Sequence, residues 1–533
     1  MHPRMQSTVK SGRMRTMSFQ GESTMRSRNT VMAVLNTVVF STFYLVPCFA
    51  QQQQQQPPQQ QQTKGGYLQQ TPGANTPKDI DEWRKGENRS GLKPYPPAPP
   101  GTPNPPGGLY HYGGSGATSF GGPDLGKPFA VFKDLMEKQR PAIDKAARER
   151  LESQFHLDCK ADPKATMSRG KPLPVGPTGR LPNGTNTWEE YAALSEAQVK
   201  AGNAFPYKPL EHPLHSTAHM LFPPQWTTVH PEHERFDVGF DIPDCYLPEF
   251  PPALYLTTHP ELGDVSRGVE ITYGNYFNIM NGILTPEQMD GLRLMVTPFQ
   301  TTWFNTTHHR VTPEPSQGVS CLSCHVNGHT NGSVELAPDA RPNYARLRTE
   351  TPTLRGNYAA LIFSAKRSIR SMDHFAEVEE YFDGDTTMLA AIGGRTLDKP
   401  QVNHMGDFNS IIDFPPAPKL DVLNNLIPSL STPEELRGEA LFKGKAKCAT
   451  CHVPSLQFTD NTMHDLKVER FYDGRPEGAI KTFSLRGIKD SPPYFHDGRL
   501  LTLEDSVEFF NMILHTQLTA QEKKDLLQYL RAL

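Results

Sequence analysis

Two pentapeptides, Cys321-Leu322-Ser323-Cys324-His325 and Cys448-Ala449-Thr450-Cys451-His452, concentrate the reactive side chains of this sequence. Each sets two thiols two residues apart and an imidazole directly after them. That spacing suits a c-type haem: the thiols form thioethers with the vinyl groups of one porphyrin, and the adjacent histidine reaches the iron from the proximal side. The expected cofactors are therefore two covalently attached haem c groups. Cys321, Cys324, Cys448 and Cys451 would hold them, with His325 and His452 as iron ligands. A zinc knuckle made from the same four cysteines is the competing arrangement, but the gap between the pairs far exceeds usual zinc spacings.

Covalent haem attachment belongs outside the cytoplasm, and the chain begins accordingly. Arg13, Arg15, Arg26 and Arg28 form a basic n-region, an apolar run extends from Val31 to Val46, and Pro47 closes it before Ala50. This reads as a signal peptide over residues 1–50 and implies a periplasmic protein. Seven cysteines are present. Setting aside Cys48 with the signal and four with the haems leaves Cys159 and Cys245, which an oxidising compartment would pair, two buried thiols being the alternative.

A net charge of -3 gives no nucleic-acid footprint. Residues 51–126 are rich in glutamine, proline and glycine and predict an extended linker. About 400 residues remain for folding, enough for two or three domains.

The elements that must position the two motifs repeat with them. Thr285-Pro286-Glu287-Gln288 and Thr432-Pro433-Glu434-Glu435 each predict a capped helix start upstream of a motif, followed by Gly291 or Gly438 and an apolar Leu294 or Leu441. Downstream, Thr353-Leu354-Arg355-Gly356 parallels Ser484-Leu485-Arg486-Gly487, and Glu380-Tyr381-Phe382 parallels Glu508-Phe509-Phe510. The chain ends in a periodic Leu526, Leu527, Leu530, Leu533 helix capped by Thr519. The fold expected is mainly α. A first cytochrome c-like haem domain spans 284–425 and a second 426–533, with an unmatched, loop-rich N-terminal extension of unknown fold over 127–283. The first copy carries an insertion between Gly291 and Cys321 that includes Trp303, His308 and His309.

The C-terminal half resembles the bacterial di-haem cytochrome c peroxidase and MauG superfamily. Arg437-Gly438-Glu439-Ala440-Leu441-Phe442, the Cys448 motif, Phe458-Thr459-Asp460-Asn461 with His464, Thr482 to Gly487, and Pro493-Tyr494-Phe495-His496-Asp497-Gly498-Arg499 carry the resemblance. It implies an oxidoreductase with one six-coordinate haem that stores electrons and one openable iron where peroxide binds. It further implies a small cytochrome c or cupredoxin as electron donor, hydrogen peroxide as acceptor, a homodimer, and a calcium ion on the backbone carbonyls of Ser491 and Pro493.

Three departures qualify it. The family places methionine or tyrosine, as distal ligand, fourteen residues beyond the histidine at 496, where this chain has Phe510. Met512 is a nearby candidate, rotated by about 200° along a helix, and Met463, His464 and His515 are further donors. Phe363-Ser364-Ala365-Lys366-Arg367 lacks the tryptophan that lies between the haems in the peroxidases. The distal side of the first haem is left to His308, His309, His329, Met372, His374, His404 or Met405. In the extension, His212, His215, His219, His230, His233 and His259 raise the question of copper or zinc, although Pro213 and Pro231 interrupt any helix through them. Beside the peroxidase reading stand a MauG-like or rubber-oxygenase-like oxidase of a protein or organic substrate, and a non-enzymatic di-haem electron carrier.

Overall fold

The computed structural model describes residues 129–533 apart from 183, 209–219, 232–241, 298, 301–317, 337–347, 361, 368, 373, 375–396 and 475. The expected signal peptide and linker, Trp303, His308, His309 and the Glu380-Tyr381-Phe382 segment lie outside them. The described chain is mainly helical with short strands of two to six residues. Among the described residues no helix is long and apolar enough to cross a membrane.

The longer helices are α1 (Phe129–Gln154), α2 (Pro286–Val296), α3 (Lys399–Ile411), α4 (Pro433–Lys443), α5 (Leu503–Ile513) and α6 (Ala520–Ala532). Threonine caps start α2, α4, α5 and α6. In each, the threonine oxygen accepts from the N3 amide while the N3 side chain accepts from the cap amide, which satisfies two otherwise orphaned donors.

The repeat is built on one packing device. In α2, Gly291 lies so close to α3 that a β-carbon there would sit 1.9 Å from the His404 carbonyl oxygen; in α4, one at Gly438 would sit 2.1 Å from that of Asp525 in α6. Each half thus crosses the helix before its motif against the helix after it, backbone on backbone. Side chains reinforce both crossings: His404 Nδ1 lies 2.9 Å from Asp290, and Arg437 binds Asp525 through two hydrogen bonds of 2.7 and 2.9 Å.

Two hydrophobic clusters follow. Leu292, Met295, Val296, Met405, Phe408 and Ile411 anchor the one around α2 and α3, and Phe442, Phe509, Leu526 and Tyr529 the one around α4, α5 and α6. The extension contributes to both. Leu254, Val265 and Ile271 join the first, whereas Leu151, Phe155, Tyr191, Phe205 and Tyr246 join the second. Strands β1 (Ala161–Thr166) and β2 (Pro172–Pro174) form an antiparallel hairpin, and Cys159 and Cys245 are joined in a disulfide, their Cα atoms 5.7 Å apart.

Buried carboxylates bind the extension to the rest. Asp505 accepts from the Thr178 amide and hydroxyl, both at 2.7 Å. Asp490 accepts from the Ser168 amide at 2.9 Å and from Arg355 Nη1 at 2.9 Å, with Arg355 and Asp490 side chains 2% and 1% exposed. The second guanidinium nitrogen, Arg355 Nη2, donates to the Ala253 carbonyl. His329 completes the knot: Nε2 donates to the Asp490 carbonyl at 2.9 Å while Nδ1 accepts from Thr353 Oγ1 at 2.8 Å. Burial pushes its pKa down to about 3, with Arg355 adding to the shift, so the ring is neutral and both nitrogens are engaged. That removes His329 from the candidate iron ligands.

Two stability predictions follow from this packing. Gly→Ala in an exposed helix stabilises by about 1 kcal/mol, but G291A and G438A should each destabilise by roughly 1–3 kcal/mol, because the new methyl meets backbone that cannot rotate away. Arg355→Ala, which leaves Asp490 charged and uncompensated, should cost about 3–5 kcal/mol. Denaturant unfolding of the holoprotein checks both.

Candidate haem-binding cavity

Both pentapeptides open on one cavity of about 490 Å³. Cys321, Cys324 and His325 line one part, and Cys448, Cys451 and His452 another. The first pentapeptide begins a short helix, Cys321–Cys324, started by Ser320; the second lies in a 3-10 turn, Cys448–Thr450. These tight turns bring two side chains three residues apart to the same side.

The histidines are held alike. His325 Nδ1 lies 2.9 Å from the Pro352 carbonyl oxygen, and His452 Nδ1 lies 2.9 Å from that of Phe458, with the Phe483 carbonyl also bonded to the His452 ring. Pro352 and Phe483 occupy the same place in the repeat, directly before Thr353-Leu354-Arg355 and Ser484-Leu485-Arg486. A backbone acceptor on Nδ1 fixes the tautomer and leaves Nε2 as the metal-binding nitrogen. Burial keeps both rings neutral, lowering the pKa of His325 to about 4 and that of His452 below its usual value, against the opposing pull of the carbonyls. Neutral imidazole beside a thiol pair is the donor set that a c-type haem needs, so the residues fit that group at both positions.

Among the described residues, the group of three or more histidine, cysteine and carboxylate ligands that converges within 4.8 Å is Cys451, Asp460 and His464. The four motif cysteines do not converge, which removes the zinc-knuckle arrangement.

Helix α5 turns Leu503, Ser506, Val507, Phe510 and Asn511 toward the cavity. Met512 is 2% exposed and packs in the hydrophobic cluster of α4, α5 and α6 instead. The expectation of Met512 as a distal ligand is therefore corrected: the helix keeps its register, and two positions from Phe510 is the opposite face. His515 lies outside the cavity, 3.7 Å from Glu196. His464 lines it, and its Nε2 is 2.6 Å from Asp460. Burial opposes ionisation of Asp460, yet hydrogen bonds from Thr462 and His464 hold its carboxyl far below the usual range.

On the side of the first motif, Met372 alone of the described distal candidates lines the cavity; its sulfur is 3.8 Å from Asn357 Nδ2. His374 accepts from the Arg370 amide, His404 is paired with Asp290, and Met405 is in the core. Phe363, Ser364 and Ala365 line the cavity where the peroxidases carry the aromatic bridge, and Ser491, Pro493 and Glu350 line it too. Among the extension histidines, His230 is held by Glu270 at 2.8 Å and stacks on Trp226, and His259 lies 3.0 Å from Glu261. Neither joins a ligand cluster, and His212, His215, His219 and His233 lie outside the described residues.

No family model matches the chain. MauG of Methylorubrum extorquens is 40% identical over 85 residues, 14% of this chain and 24% of that protein. The cytochrome-c peroxidase IdrP1 of Denitromonas iodatirespirans is 29% identical over 150 residues, 19% of this chain and 40% of that protein. The match thus spans about a quarter to two-fifths of the length of these curated relatives. Among solved structures, a MauG-like protein associated with microbial copper homeostasis overlaps 47% of this chain and 89% of its own at 19% identity and a TM-score of 0.35. Over these partial segments the chain is similar to proteins of the di-haem cytochrome c peroxidase and MauG superfamily.

Proposed function

We propose that this protein is a periplasmic di-haem c-type oxidoreductase of the peroxidase kind, moving electrons from a small cytochrome c or cupredoxin to hydrogen peroxide. The observation that carries the reading is that two Cys-x-x-Cys-His motifs, in two copies of one helical repeat, share a cavity with their histidines held alike. Haem c bound at the two motifs would supply one-electron exchange and, at an open iron position, peroxide reduction.

The chain's own residues prepare that chemistry. The carbonyls of Pro352 and Phe458 orient His325 and His452. Phe414, Leu485, Leu500, Leu503 and Val507 give the cavity apolar walls that exclude water. Phe510 presents no lone pair where the family has a ligand, which favours an open iron on that side. His464, bonded to Asp460, places an imidazole at the cavity wall. Carbonyls of Ser491 and Pro493, with Glu350 nearby, are oxygen donors of the kind calcium takes, and a calcium ion there belongs to the proposal.

Ser364 and Ala365 at the bridge position, together with Phe510, favour as second reading an oxidase of a protein or organic substrate, as in MauG or the rubber oxygenases. Electron paramagnetic resonance of the holoprotein, oxidised and after one added electron, separates the readings when combined with turnover of peroxide and reduced cytochrome c. A high-spin haem with sustained cytochrome oxidation is expected. A high-spin haem that consumes peroxide without oxidising cytochrome would support the second reading, and two low-spin haems in both states would leave an electron carrier. Phe510→Met should place a sulfur donor in the cavity, convert the high-spin signal to low-spin, and lower peroxide turnover by at least about tenfold.

A further inference from the structure

Four basic side chains line the cavity among the described residues: Arg355, Lys447, Lys481 and Arg486. Three are accounted for. Arg355 is paired with Asp490; Lys447 is exposed; Arg486 directs Nε, Nη1 and Nη2 to Leu533, Asn424 and Pro415 oxygens at 3.0–3.1 Å.

Lys481 differs. It is 4% exposed, and its ammonium donates to the Ile362 carbonyl at 2.8 Å. It lies 5.9 and 5.8 Å from the ring centroids of Phe363 and Phe483. No carboxylate among the described residues pairs with it, and the nearby charge of Arg367 is of like sign. Burial together with that cation lowers its pKa to about 8, which still leaves it charged at neutral pH. A buried ammonium facing an apolar cavity needs a counter-anion.

The repeat sharpens the point. Lys481 stands four residues before Leu485, and Glu350 stands four before Leu354, so the two halves place a base and an acid at the same position of their repeated strand. Glu350 also lines the cavity, accepts from Thr330 Oγ1 at 2.9 Å, and has its pKa raised by burial well above the usual carboxylate range. The cavity therefore carries a cation without a carboxylate partner among the described residues at one repeat position and an acid at the other.

We propose that Lys481 is the counter-cation for a propionate carboxylate of one of the two haems, and that this pairing, absent at Glu350, sets the reduction potentials of the two haems apart. The proposal rests on the haem-binding reading. An ammonium beside a propionate offsets negative charge near the iron, favours the reduced state and raises the potential of that haem. Lys481 acts here as a cofactor-binding and tuning residue, not a catalytic one. Its amide donates to the Ala365 carbonyl, so the first-half segment 362–367 holds this second-half lysine in place.

The test is a spectroelectrochemical titration of the holoprotein and of Lys481→Gln and Lys481→Arg, after counting haems per chain by pyridine haemochrome. A count below two in the wild type would end the haem reading itself. With two haems retained, K481Q should shift the reduction equilibrium of one haem at least about tenfold toward the oxidised form, about 59 mV for one electron. The other haem should move less, K481R should restore the wild-type value, and the band that moves identifies which haem carries the bound propionate. Unchanged midpoints in K481Q, or equal shifts in both haems, would overturn the proposal. If K481Q does not retain two haems, a crystal structure of the wild-type holoprotein decides: an Nζ–propionate distance beyond about 4 Å overturns it equally.

Discussion

The burial of Asp490 is the constraint on which the architecture turns. A carboxylate this deep persists only if its oxygens are occupied, and its partners come from two other parts of the chain: Ser168 of the extension and Arg355 of the first half, where His329, just beyond the first motif, also binds the Asp490 backbone carbonyl. Asp490 itself precedes Ser491 and Pro493, which line the cavity. One residue therefore fixes how the first motif, the second half and the extension meet, and the shared cavity exists only while they meet in this way.

Around that knot the two halves repeat a small vocabulary. A capped helix crosses another at a glycine, a tight turn presents two cysteines and a histidine, and a following extended segment supplies a carbonyl that binds the histidine or its surroundings. The differences between the halves matter as much as the repetition. The same arginine position is an ion-pair partner at Arg355 and a carbonyl-binding clasp at Arg486. The same strand position is an acid at Glu350 and a base at Lys481. Unlike electrostatic surroundings on a common backbone plan are what two haems with different tasks would require.

What the sequence made legible was what is encoded locally. The pentapeptides, the threonine caps and the crossing glycines each act within a few residues, so type and spacing suffice. Cys159 and Cys245 were legible by elimination, because four of the other five cysteines had a use and Cys48 left with the signal. Met512 was the weak point, since ligation depends on which face of α5 meets the cavity, and that is set by packing of Phe509 and Met512 against the core. The Arg355–Asp490 pair and the isolation of Lys481 could not be read at all, because their partners lie more than a hundred residues apart in sequence. The extension stayed opaque for the same reason: Ser168 and Thr178 bind carboxylates 322 and 327 residues further along the chain.

The most direct test of the central claim, that both pentapeptides hold covalent haem, is the intact mass of the denatured, exported chain. Two haem masses above the polypeptide are predicted, falling to one in C321A/C324A and to one in C448A/C451A. A mass equal to the bare polypeptide after expression with a haem-attachment system, or bound zinc in place of haem, would contradict the account.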